Sequence, residues 1–260
     1  MSKQFWTIDL NGNQILRDLE KENETFTVEK YNNGEFDGNN FIYYEMFGYH
    51  IHEATGCDYE RKGCQIREGD VVVDLGANIG VFAHRAEMRG ASKVICFEPL
   101  SITYEVLKKN LGSKSQAFQL AVGNKNEFKK FGIHSTYSHL GGGFSLDKTD
   151  ILGDKKIIHE EIVYSIDVNQ LFDKTLTDRI DFLKIDVEGG EVEILSSITD
   201  ENLLSVRCLA AEFHCLNGDF EIFQSNFQQR MSALGFNQFT LYHGTGYNSK
   251  LRTATFWKNE

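Results

Sequence analysis

"VVVDLGANIG", residues 71–80, runs a short apolar strand carrying one aspartate into a glycine pair spaced Gly76-x-x-x-Gly80. A buried strand that empties into such a turn brings backbone close to a ligand, since glycine alone turns left-handed without steric cost. The turn by itself leaves two ligands open. A dinucleotide fingerprint, G-x-G-x-x-G, has a middle glycine that lets the backbone press on a pyrophosphate. Here Gly76-Ala77-Asn78-Ile79-Gly80 lacks it. A D-x-G-x-x-x-G turn instead suits S-adenosylmethionine, which has no phosphate but offers an amino group to Asp74 and to backbone carbonyls.

Outward from this turn, apolar runs alternate with helical patterns. Strands are expected at Val71–Leu75, Lys93–Phe97, Ala117–Val122, Ile180–Val187, Val206–Phe213 and Phe239–Tyr242. Strands apolar nearly throughout, with helices between them, imply a parallel sheet covered on both faces, which binds ligands at its carboxyl ends. The single proline, Pro99, follows Glu98 at the end of the second of these strands. Proline restricts the residue before it to extended geometry, so Glu98 is held at a strand terminus ahead of a helix that Ser101 can cap. A carboxylate there accepts two hydrogen bonds from ribose hydroxyls, a task shared by dinucleotide and adenosylmethionine sites.

"IDFLKIDVEGGEVEIL", residues 180–195, carries the chemistry. Lys184 and Asp186 alternate onto one face near the end of an apolar strand, where ionisable groups are costly unless paired or working. Glu188, Gly189, Gly190 and Glu191 then turn the chain into a helix, with carboxylates at its positive end.

Composition narrows the classes. The 260 residues suit one large α/β domain, 41% hydrophobic and 25% charged. A formal charge of -11, from 27 Lys+Arg against 38 Asp+Glu, with no basic run, argues against nucleic acid. No apolar stretch approaches the roughly 20 residues that span a bilayer, and the N-terminus lacks a signal-peptide core, so a cytoplasmic protein without membrane contact is expected. The five cysteines, 57, 64, 96, 208 and 215, form no C-x-x-C pair and cannot close into a full disulfide set; Cys96 and Cys208, in apolar runs, read as buried thiols, and Cys57 and Cys64 as bystanders.

Two regions break the rhythm. Residues 1–40 read as an N-terminal extension, with Asn11-Gly12 between strand-like flanks suggesting a hairpin. Residues 41–260 form the main domain, with an insertion at about 126–165 that contains extra strands and a glycine triplet at 141–143.

The stretches "VVVDLGANIGVFA", "VICFEP", "LAVGN" and above all "FLKIDVEGGEVEIL" closely resemble the FkbM family of S-adenosylmethionine-dependent methyltransferases, from about Tyr44 to Glu212. The resemblance implies a class I methyltransferase fold, a Rossmann-like α/β sheet of seven mostly parallel strands with the last antiparallel. It also implies methyl transfer, most often to a hydroxyl of a sugar or natural product. Carried over by position, Asp74, Gly76, Ala77, Asn78 and Gly80 surround the methionine part, and Glu98 binds the ribose. Pro99, Leu100, Ala121 and Val122 wall the adenine. Asp186 sits beside the methyl donor, with Glu188 and Glu191 on the acceptor side. The tail "LYHGTGYNSKLRTATFWKNE" has no clear counterpart in the pattern.

Methyl transfer from a sulfonium requires alignment, exclusion of water and removal of the acceptor proton. Candidate bases are Asp186, Glu212 and His214, the last two alternating onto one face of "AEFHC". The same three residues offer an alternative, a divalent cation that acidifies the acceptor; magnesium prefers oxygen ligands, which favours metal-free base chemistry. Residues 36–56 crowd six aromatics and two histidines into 21 positions, making Tyr43, Tyr44 and Glu45 candidates for a small-molecule acceptor pocket. A nicotinamide oxidoreductase and a catalytically silent adenosylmethionine-binding subunit are the competing functions. A homodimer is compatible with the sequence.

Overall fold

The computed structural model describes residues 4–8, 14–18, 59–61, 63–134, 143–145, 157–173, 176–214, 220–242 and 251–258. Tyr43, Tyr44 and Glu45, with Cys57 and Cys215, lie outside them.

In chain order the strands are β1 (Gln4–Ile8), β2 (Gln14–Asp18), β3 (Val71–Leu75), β4 (Lys93–Phe97), β5 (Ser115–Phe118), β6 (Ala121–Gly123), β7 (Glu127–His134), β8 (Gly143–Ser145), β9 (Ile157–Asp167), β10 (Ile180–Ile185), β11 (Val206–His214), β12 (Asn237–Tyr242) and β13 (Leu251–Trp257). The helices are α1 (Val81–Met88), α2 (Ser101–Asn110), α3 (Glu191–Ser197), α4 (Asp200–Ser205) and α5 (Phe220–Ala233), with a 3-10 turn at Val168–Phe172.

Seven strands form the main sheet in the order β12-β13-β11-β10-β3-β4-β5. Pairing is parallel from β5 across to β11, and β13 runs antiparallel to both β11 and β12. This is the α/β architecture of class I methyltransferases that the sequence predicts. Successive strand residues point to opposite faces, so Val72, Val94, Cys96, Phe182 and Cys208 pack with Phe82, Ala86 and Leu107 of α1 and α2. Their neighbours Val73, Ile95, Leu183 and Leu209 pack with Ile194 and Leu195 of α3 and with Phe227 and Met231 of α5. Both faces are buried, which is why these strands read as continuous apolar runs.

Three expectations are corrected. The stretch Ala117–Val122 is two strands in different sheets: β5 ends at Phe118, and β6 starts at Ala121 in a separate four-stranded sheet of order β6-β9-β7-β8. The tail supplies β13, the one antiparallel strand of the main sheet, hidden from a hydropathy reading because the buried Thr253 and Thr255 interrupt its apolar residues. Ser101 is the first residue of α2 rather than its cap. Glu161 on β9 does the capping, accepting hydrogen bonds from the Ser101 N–H at 3.0 Å and its hydroxyl at 2.9 Å.

Strands β1 and β2 pair antiparallel, Trp6 opposite Leu16. The Trp6 N–H donates to Asn110 Oδ1 at 2.7 Å, and Asn110 Nδ2 donates to the carbonyls of Trp6 at 2.9 Å and Ile79 at 2.7 Å. One asparagine thus ties this N-terminal pair to the glycine turn. Among the described residues, no helix is long and apolar enough to cross a membrane.

Candidate active site

The glycine turn is built by backbone. The N–H groups of Gly76 and Ala77 both donate to the Phe97 carbonyl, and the Asp186 N–H donates to the Leu75 carbonyl, so the ends of β3, β4 and β10 are stitched together. Gly76 has φ +75, and a Cβ on it would stand 1.7 Å from the Asp186 carbonyl oxygen. No other residue fits there. Asn78 also lies in the left-handed region, at φ 49, and Gly80, at φ 93, starts α1.

A cavity opens at these carboxyl ends. Its wall takes Gly76 and Asn78 from the turn, Glu98 and Pro99 from the end of β4, Leu120 to Gly123 around β6, and Asp186 to Glu188 after β10. The four-stranded sheet and α3 contribute Lys129, Phe131, Ser165 and Glu193. Glu98 is held by backbone: Oε2 accepts from the Asn78 N–H and Oε1 from the Leu100 N–H, both at 3.0 Å. Burial pushes its pKa up to about 8, against the pull of those two N–H groups. When it is ionised, each oxygen keeps a lone pair for a hydroxyl.

Of the residues expected at the cofactor, Gly76, Asn78, Glu98, Pro99, Ala121, Val122 and Asp186 line the cavity. Ala77, Gly80 and Leu100 stand behind it, the alanine and leucine packed in core clusters. Asp74, expected beside the methionine part, stands behind the turn. It is fully buried, off the cavity wall, and its Oδ1 accepts from Lys184 Nζ at 3.0 Å. Lys184 Nζ also donates to the Gly76 carbonyl at 3.1 Å and lies 3.4 Å from Asp186 Oδ2. Burial alone would lower the lysine's pKa, but Asp74 and then Asp186 hold it above the ordinary range. It therefore stays charged and bridges the turn to the carboxylate.

The other half of the site is a side-chain network. The Tyr59 hydroxyl contacts Asp186 Oδ2 at 3.0 Å and Glu212 Oε2 at 2.5 Å, joining residues more than 120 positions apart. A phenol has one hydrogen, so the two contacts are both well satisfied when one carboxyl keeps a proton. Burial, then the Asp186 charge, pushes the Glu212 pKa up to about 7, which assigns that proton to Glu212 at lower pH. Tyr59 escaped the sequence reading; the one signal for it was its place just past the aromatic cluster at 36–56.

His214 is not placed as a free base. Its Nδ1 lies 2.9 Å from Glu191 Oε1, and its Nε2 lies 3.3 Å from Glu188 Oε2. Burial opposes its charge, yet Glu188 and then Glu191 push its pKa well above the usual imidazole range. Both ring nitrogens of the expected base are thus engaged by carboxylates, and both carboxylates favour its charged form. Glu191 itself is buried at the start of α3, where Oε1 also accepts from the N–H groups of Val187 and Gly189. Glu188 sits at φ 56, where the chain reverses between β10 and α3. Asp186, Glu191 and His214 have ligand atoms within 4.8 Å of one another, so the set compatible with a cation contains Glu191 where the sequence suggested Glu212.

Comparison with known proteins agrees with this geometry. The pattern of the family described as Methyltransferase FkbM domain matches residues 74–239. The 31-O-demethyl-FK506 methyltransferase FkbM of Streptomyces tacrolimicus is 28% identical over 74% of this chain and 80% of its own. Methyltransferase sdnD of Sordaria araneosa is 28% identical over 66% and 73%. The AMB antimetabolite synthetase AmbE of Pseudomonas aeruginosa is 26% identical over 67% of this chain, which spans only 9% of that protein's length. The nicotinamide oxidoreductase reading falls with the family match.

Proposed function

Because the chain belongs to the FkbM family of S-adenosylmethionine-dependent methyltransferases, we propose that it transfers the methyl group to a hydroxyl of a sugar or other small-molecule natural product. The observation that carries this reading is Asp186, which lines the cavity and is joined through Tyr59 to a second carboxylate, Glu212, behind it. An alcohol becomes a competent nucleophile only as its proton leaves, and this pair can take that proton.

The residues fit the cofactor: Gly76 and Asn78 bring the backbone of the turn to the cavity wall, and ionised Glu98 presents one lone pair on each oxygen for vicinal hydroxyls. S-adenosylmethionine, when bound, supplies a methyl group already activated on a sulfonium. The protein's part is to align the acceptor and move its proton. The described partners of the Asp186 side chain, Tyr59 and Lys184, both hold Oδ2. Oδ1 is then the atom that receives the acceptor proton. Lys184 steadies the Asp186 charge beforehand; afterwards rotation of the carboxyl about its Cβ–Cγ bond carries the proton to the Oδ2 position, where Tyr59 takes it up as it passes its own hydrogen to ionised Glu212.

A metal-free route fits better than a cation at Asp186, Glu191 and His214. Both ring nitrogens of His214 already face carboxylates, and Glu191 Oε1 is already occupied by two N–H groups. The test is methyl transfer from S-adenosylmethionine to panels of polyhydroxylated and amino-bearing small molecules, read by mass spectrometry. Products methylated on oxygen are expected. Exclusive methylation of nitrogen would overturn the reading.

A further inference from the structure

The four-stranded sheet faces the cavity with one hydroxyl that nothing among the described residues satisfies. Ser165 on β9 has no exposed surface and lines the cavity, and its Oγ has no hydrogen-bond partner among the described residues. A buried hydroxyl left unpaired costs about 1–3 kcal/mol, so such a group is kept where a ligand pairs with it. Its surroundings describe that ligand. Ser165 is in register with Ala121 on β6, next to the segment that walls the site beyond Glu98. Around it Ala121, Val122 and Phe131 present apolar surface, while Lys129 Nζ and Glu193 Oε1, 3.1 Å apart, add a polar border. Apolar plates with a few donors and acceptors along one edge suit a flat heteroaromatic ring. Gly123 keeps the space open: a Cβ there would stand 2.8 Å from Ser165 Oγ.

We infer that the four-stranded sheet completes the purine end of the cofactor site, with the Ser165 hydroxyl as a specificity-determining contact to the edge of the adenine ring. This rests on the cofactor reading above. The inserted strands thus do more than cap α2: they bring to the nucleoside a hydroxyl that the seven-stranded sheet does not supply.

Binding, not turnover, tests it. Affinities of the full chain for S-adenosylhomocysteine and for 5′-methylthioadenosine, which lacks the amino-acid half, are measured by competition calorimetry for wild type, Ser165→Ala and Gly123→Ala. Ser165→Ala removes an unpaired hydroxyl, so it keeps the melting temperature at or above that of wild type. It weakens both ligands by the same factor, about tenfold. Gly123→Ala, which fills the gap instead, weakens both as well. Equal binding of both ligands by wild type and both variants overturns the inference while leaving the cofactor reading standing. A loss for S-adenosylhomocysteine alone moves Ser165 to the amino-acid half and overturns it too. Failure of wild type to bind either ligand would remove the cofactor reading itself.

Discussion

The half of the cavity around Gly76 and Glu98 and the half around Asp186 are built by opposite means. The first is backbone: carbonyl and N–H groups of Leu75, Gly76, Ala77, Phe97 and Asp186 close the turn, and Glu98 is aimed by two backbone N–H groups. The second is side chain: Tyr59, Lys184, Asp186, Glu188, Glu191, Glu212 and His214 hold one another in place. A backbone site depends on local conformation and tolerates no added atoms. A side-chain network depends on charge, and changing one member retunes the others.

The backbone half should fail outright when crowded. Gly76→Ala places a methyl group against the Asp186 carbonyl at a left-handed φ, costing about 3 kcal/mol or more from strain and overpacking. Calorimetry should show no adenosylmethionine binding and thermal melting a lower midpoint; retained binding would break the contrast. Asp186→Asn keeps shape and removes charge, so turnover should fall about 10²–10⁴-fold with S-adenosylhomocysteine affinity near that of wild type. An equal loss in both would return Asp186 to the binding half.

Smaller effects sharpen the comparison. Glu98→Gln replaces one acceptor oxygen with a donor and should weaken S-adenosylhomocysteine by about 2 kcal/mol, read as dissociation constants. Tyr59→Phe should lower turnover about tenfold and move its pH dependence. In wild type the rate should climb as pH rises through about 7, where Glu212 loses its proton and can accept another. The Tyr59 hydroxyl lowers the Glu212 pKa, so its removal should shift that climb to higher pH. An unmoved profile would exclude Glu212 from the proton path. The smallest effect expected is none: a strong chelator should leave turnover unchanged, and loss with rescue by magnesium would place a cation at Asp186, Glu191 and His214.

The backbone half was legible because its signals are local. A strand, a glycine spacing and a proline behind a glutamate each act within a few residues, and the structure brings them to one cavity. The side-chain half was legible only in part. Lys184 and Asp186 could be paired from strand alternation, but Tyr59 meets Glu212 across 153 positions, and nothing in the sequence pointed to that pair. His214 was singled out correctly as a polar group at a strand end, yet its protonation is set by Glu188 and Glu191, which only the α3 turn brings beside it.

By itself, then, the sequence determined the parallel core, the turn and the family, because periodicity and glycine stereochemistry are properties of short stretches. Tertiary structure alone decided that the Thr-interrupted tail forms the antiparallel strand, and that β6 leaves the main sheet to pair with β9. It also decided that Asp74 meets Lys184 in the interior, and that Ser165 reaches the cavity without a partner among the described residues. Each of these depends on which distant groups share a buried volume. In that volume the low dielectric makes every unpaired charge or hydroxyl expensive, so what surrounds a residue, more than its type, sets what it does.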